Sequence, residues 1–88
     1  MKLKYHFDAV DMGDEIISVP VGNGAEQVQG VLRLNHSGNE IMELLKDEIT
    51  EDKIIRILEA KYDNGKEELA EYVDGAIKTL AGAGLIEE

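Results

Sequence analysis

Apolar and polar residues alternate along the first third of the chain and then recur every three or four positions to its end. Leu3, Tyr5 and Phe7 alternate with Lys4, His6 and Asp8, which predicts a first strand over residues 3–11. Met12-Gly13-Asp14 is a turn signal. Glu15 to Val21 is rich in β-branched residues and predicts a second strand. Pro20 has no amide donor, so it belongs at that strand's end or on an unpaired side. A loop at Gly22-Asn23-Gly24-Ala25-Glu26 leads to a third strand from about Gln27 to Leu34, with Leu32 and Leu34 on one face. Connections this short make the three strands an antiparallel meander.

The period changes at Asn35-His36-Ser37-Gly38. Ile41, Leu44 and Leu45 then share one stripe of a helix that runs from about Ser37 to Asp47. Ser37 and Glu40 have the spacing of a capping box. Thr50 is a good cap for a second helix, with Glu51 and Asp52 at its positive end and Ile54, Ile57, Leu58 and Tyr62 as its apolar stripe. Asp63-Asn64-Gly65 breaks it, and Asn64 with Glu67 repeats the cap pattern before a third helix over residues 66–81. Leu69, Val73, Ile77 and Leu80 form the core face of that helix. Gly82-Ala83-Gly84 ends it, and Leu85-Ile86 reads as a last extended segment. The fold class is α+β, a three-stranded antiparallel sheet followed by three helices in one domain over residues 1–88.

The third helix has a second face. Tyr72, Gly75, Ala76, Thr79 and Ala83 are spaced by three and four, and apart from Tyr72 they are small. Glycine inside a helix costs roughly 1 kcal/mol relative to alanine. Such a face is read in two ways: as close packing within the domain, or as a shallow wall for a bound peptide.

Charge narrows the partners. Nine Lys and Arg against 19 Asp and Glu give a formal charge of −10 over 88 residues. Both halves are acidic: residues 1–49 hold 4 basic and 9 acidic groups, residues 50–88 hold 5 and 10. Neither half offers a basic face for a polyanion, and nucleic-acid affinity depends on phosphate neutralisation. There is no cysteine, so disulfides, thiolate metal sites and cysteine nucleophiles are absent. No apolar run approaches the roughly 20 residues that span a bilayer, and the start of the chain lacks the apolar core of a signal peptide. The expectation is a cytoplasmic protein without membrane contact.

A search for catalytic chemistry finds little. His6 reads as a solvated strand residue and His36 as a surface or capping residue at a helix start. No metal-binding histidine pair, nucleophile elbow or phosphate loop is present. The many carboxylate pairs, such as Glu51/Asp52 and Glu67/Glu68, lie at helix starts, where the helix dipole accounts for them. The chain reads as non-enzymatic, with no catalytic residues, no metal and no cofactor.

The wording of four segments adds to this pattern. Leu34-Asn35-His36-Ser37-Gly38-Asn39-Glu40-Ile41-Met42-Glu43-Leu44-Leu45 resembles the central signature of the PqqD-like family (pyrroloquinoline quinone biosynthesis protein D). Ile49-Thr50-Glu51-Asp52-Lys53-Ile54-Ile55 resembles its second helix start, Tyr62-Asp63 its next break, and Leu80-Ala81-Gly82-Ala83-Gly84-Leu85-Ile86 its closing motif. The likeness covers roughly residues 15–88. It implies a winged-helix-like peptide-recognition module that binds the leader segment of a ribosomally made precursor peptide. The module presents that leader to a modifying enzyme, often a radical S-adenosylmethionine enzyme. In the family the leader adds as a strand to the third strand's edge and lies against the third helix. Carried over, the edge is Val28, Gln29, Gly30, Val31 and Leu32, and the wall is Leu69, Tyr72, Val73, Ala76 and Thr79. The physics is β-augmentation, in which backbone hydrogen bonds supply affinity and alternate side chains supply selectivity.

Two other readings compete. A winged-helix DNA-binding domain needs basic side chains on the third helix, which instead carries Lys66 and Lys78 against Glu67, Glu68, Glu71 and Asp74. A protein–protein adaptor or dimerisation module would use the exposed strand edge without a peptide ligand, which leaves the oligomeric expectation as a monomer or weak dimer.

Overall fold

A computed structural model describes residues 1–87; the end of the expected domain, Glu88, lies outside the described residues. In chain order the elements are β1 (Lys2–Leu3), β2 (His6–Asp11), β3 (Ile16–Val21), a 3-10 turn (Ala25–Gln27), β4 (Leu32–Leu34), α1 (His36–Leu44), α2 (Glu51–Lys61), α3 (Lys66–Gly82) and β5 (Ile86–Glu87). β2, β3 and β4 form the antiparallel meander in that order, and β1 pairs with β5 in a separate two-stranded ribbon. Among the described residues no helix is long and apolar enough to cross a membrane.

The expected first strand is therefore two strands. The amide of Leu3 donates to the Leu45 carbonyl at 2.9 Å and that of Lys4 to the Leu85 carbonyl at 2.8 Å. These donors are taken up by the end of α1 and by the chain entering β5, so pairing with β3 starts only at His6. Tyr5, at the bend, packs its ring on Gly24 and donates its hydroxyl to Gln27 Oε1 at 3.1 Å. From there β2 and β3 run as a hairpin, from His6 opposite Val21 to Asp11 opposite Ile16.

The expected third strand shortens for a similar reason. The amides of Ala25, Gln27 and Val28 donate back to Gly22, Gly24 and Ala25, closing a 3-10 turn where strand was expected. Gly30 then takes φ +76°, outside the extended backbone of a regular strand. Only Leu32, Arg33 and Leu34 pair with β3, opposite Ser18, Ile17 and Ile16. Of the five residues expected to form the binding edge, Val28, Gln29, Gly30 and Val31 lie outside the sheet and Leu32 lies in it.

The caps also differ from the sequence reading. Asn35, in extended backbone, accepts from the Gly38 amide at 2.8 Å and so caps α1 two residues before Ser37. Ser37 falls inside the helix, and the Ser37–Glu40 box does not form. α1 ends at Leu44 rather than Asp47. Thr50 caps α2 as expected, accepting from the Lys53 amide at 3.2 Å. α3 begins after Gly65 with no side-chain cap, because the Asn64 amide group donates to Glu68 Oε1 at 3.1 Å instead.

The core lies where the helices meet the inner face of the sheet. Ile41, Met42 and Leu45 come from α1 and its C-cap, Ile54, Ile55 and Leu58 from α2, and Leu69, Val73 and Leu80 from α3. Leu3 and Phe7 join them from the first strands, and Leu85 and Ile86 from the chain's end. Leu32 and Leu34 pack against this cluster from β4 and are only half-buried.

Candidate peptide-binding site

β4 is an edge strand: β3 covers one side, and no strand covers the other among the described residues. A row of unpaired backbone groups on such an edge is a template for a further strand. Across from it runs α3. Between them lies a groove of about 660 Å³, lined by Leu32, Arg33 and Leu34 on one side and by Tyr72, Gly75, Ala76, Thr79 and Leu80 on the other. Ile41 and Met42 of α1 form its floor.

The junction between β4 and α1 sets the end of the groove. Asn35 Oδ1 accepts from the Gly38 amide, from Ser37 Oγ at 3.2 Å and from the Tyr72 hydroxyl at 3.2 Å. Ser37 Oγ and the Tyr72 hydroxyl lie 2.8 Å apart. One helix cap therefore also fixes the ring of the largest side chain on the α3 wall. Gly38 belongs to this arrangement, since a Cβ there would stand 2.9 Å from Asn35 Oδ1. His36 stays exposed at the start of α1, its Nε2 lying 3.3 Å from the Gly13 carbonyl in the hairpin turn.

Of the residues singled out from the sequence, Leu32, Tyr72, Ala76 and Thr79 meet in the groove. Val28 and Gln29 lie beyond its Leu32 end, in an adjoining hollow of about 370 Å³ with Ala83 and Gly84. Gly30 and Val31 are exposed and line neither. Val73 is 0 % exposed and Leu69 is buried, so both support the wall from behind. The sequence reading missed Arg33, Leu34, Asn35, Ile41, Met42, Glu71 and Leu80 as groove residues. Asn35 was readable only as the break before the helix. Gly75 carried the clearest signal: its Cβ position is open space, with nothing within 4 Å. Close packing within the domain thus does not account for Gly75, although its neighbour Ala76 packs against the core cluster.

Beside the groove, Glu40 ties α1 to the end of α2. Its carboxylate accepts from the Tyr62 hydroxyl and from Lys61 Nζ. Donation from Tyr62, then from Lys61, holds the Glu40 carboxyl below its ordinary value, with burial opposing the shift. The same bond pushes the Tyr62 hydroxyl above its ordinary value. A carboxyl lowered on folding stabilises the fold above its unfolded pKa and loses that contribution as pH falls through the lowered value. Tyr62→Phe is expected to raise the Glu40 carboxyl toward the ordinary range, read by carboxyl-carbon NMR against pH. An unshifted titration would show that Tyr62 does not hold this charge. Among the described residues no cluster of three or more His, Asp or Glu could hold a metal ion.

No curated protein matches the sequence significantly. A solved structure, that of TbiB1 in complex with the TbiA(beta) leader peptide, is similar in fold, with a TM-score of 0.73 at 20% identity. The match covers 99% of this chain and 95% of that one. The family model for coenzyme PQQ synthesis protein D (PqqD) matches residues 23–86, from the loop before β4 through the three helices into β5. With the groove-forming elements β4, α1 and α3 all inside that match, the chain belongs to the PqqD family.

Proposed function

We propose that residues 1–88 form a non-catalytic recognition domain that captures the leader segment of a ribosomally synthesised precursor peptide. The leader adds as a strand to β4, lies against α3, and is presented to a modifying enzyme of the radical S-adenosylmethionine type. One observation carries the reading: the unpaired edge of β4 forms one wall of an apolar groove whose other wall is the small-residue face of α3. A strand added there gains backbone hydrogen bonds on one side and buries alternate side chains on the other. The family, and the leader peptide bound by the structural relative, support the same use. The acidic exposed face of α3 argues against DNA.

Gly75 tests the reading. In the free domain a methyl group at this position meets nothing, so Gly75→Ala is expected to stabilise the fold by about 0.5–1 kcal/mol through helix propensity. The same methyl intrudes on the groove where a peptide backbone would approach. Binding of a fluorescently labelled leader segment, taken from a precursor encoded beside the gene, is expected to weaken several-fold. A variant that melts higher and binds equally well would remove Gly75 from the contact. Pairing of β4 with a second copy is the competing use of the edge; sedimentation that depends on protein concentration, and does not respond to the leader, would favour it.

A further inference from the structure

Past Tyr72 the groove opens into a second pocket of about 520 Å³, at the start of α3 and the end of α2. The two cavities share Tyr72 and Glu71 in their walls. Leu58 and Leu69, both buried, lie at the bottom of the pocket, and the rings of Tyr62 and Tyr72 flank it. Both hydroxyls are already engaged, Tyr62 with Glu40 and Tyr72 with Ser37 and Asn35, so the two rings are held in place. Glu68 and Glu71 stand exposed at the mouth. Glu71 makes no hydrogen bond or ion pair among the described residues, and Glu68 meets only the neutral amide of Asn64. The neighbouring Asp74, by contrast, is paired with Lys78 at 2.9 Å.

Apolar depth, two fixed aromatic faces and two uncompensated carboxylates at the rim are complementary to one kind of side chain. It has a long aliphatic stem and a cationic end, which buries its methylenes, meets the rings and reaches the carboxylates. We infer that this pocket receives a lysine or arginine side chain of the captured peptide. The inference rests on the peptide-capture reading and adds a specificity determinant to it. The position of the basic residue follows from geometry. From Ala76 to Glu68 is eight residues of helix, about 12 Å at 1.5 Å per residue. An extended peptide covers that distance in about four residues at 3.3 Å each. The basic residue therefore lies about four positions from the residue seated beside Ala76. The net charge of −10 acts in the same direction, drawing basic segments and repelling acidic ones.

Selection from a display library of random 12-residue peptides on the full chain tests this. Wild-type protein is expected to enrich an alternating apolar run with Lys or Arg about four positions away. The double variant Glu68→Gln/Glu71→Gln, checked for folding by circular dichroism, is expected to enrich the same run with the basic preference lost. Replacing the basic residue by Gln in a selected peptide is expected to weaken wild-type binding about tenfold, as a charge-assisted contact would, and binding to the variant less than about twofold. An apolar run without a basic position, or a basic preference that the variant retains, overturns the inference while strand capture stands. Failure to enrich any apolar run overturns strand capture, and this inference with it.

Discussion

Arginine in place of Ala76 is expected to lower affinity for the leader segment at least about thirtyfold, the loss of roughly 2 kcal/mol that marks a dominant interface contact. Ala76 is half-buried on α3, one turn from Tyr72 and from Leu80, and faces the groove that Leu32 and Leu34 close from β4. A guanidinium on a three-carbon stem occupies the space that a bound strand needs. The fold should survive, since arginine is a good helix former and its stem can lie along the groove with the charge in water. Circular dichroism and melting should place the variant within a few degrees of wild type, and anisotropy with a labelled leader should show the lost binding. Unchanged affinity in a folded variant would take the α3 wall out of the site.

Leu45→Ala is expected to have the largest effect on stability, about 2–5 kcal/mol. Leu45 is 0 % exposed and belongs to the core cluster at the C-cap of α1. Its carbonyl accepts the Leu3 amide, so the same residue fixes where the N-terminal strand crosses the helices. Removing the side chain leaves a void in the core cluster to which all three helices contribute, which the surrounding side chains cannot fill without moving. Domains of this size have about 5–15 kcal/mol in total, so the loss is a large fraction. At about 4–8 °C per kcal/mol, the melting temperature should fall by about 8 °C or more. Urea unfolding with an unchanged slope and a lower midpoint would show the same thing. A loss below about 1 kcal/mol would mean that the core collapses around the site or does not depend on it.

The helices were legible because their signals are local. Ile54 and Leu58 are spaced by the helix period and are buried, although Ile55 rather than the expected Ile57 joins them; Thr50 caps by its own hydroxyl, and Gly82-Ala83-Gly84 stops the helix within a residue of the end of α3. The strands were less so, because pairing depends on where distant acceptors lie. Leu3 and Lys4 alternate correctly, yet their amides are claimed by the carbonyls of Leu45 and Leu85, more than 40 residues away. Residues 27–31 have strand-like composition, but the turn at Ala25–Gln27 and the positive φ of Gly30 take them out of the sheet. That displacement moved the expected binding edge. Only Leu32 is common to the expected edge and to β4, while Arg33 and Leu34 take the places assigned to Val28–Val31. On α3 the outcome was better, since Tyr72, Ala76 and Thr79 line the groove as their spacing suggests. Val73 shares the helix but points inward, where it is fully buried. Asn35 could be read only as the break before the helix, and Ser37 only as a capping residue. Their second task, holding Tyr72, links positions 35 and 37 residues apart and has no local signature.

The most direct test is a titration of isotopically labelled protein with a leader segment from a precursor encoded beside the gene, followed by two-dimensional NMR. Strand capture predicts amide shifts concentrated at Leu32–Leu34 and along Tyr72–Leu80, with slowed exchange of β4 amides as they gain partners. A folded protein whose spectrum does not move at high peptide concentration, or moves only at sites away from β4 and α3, would contradict it.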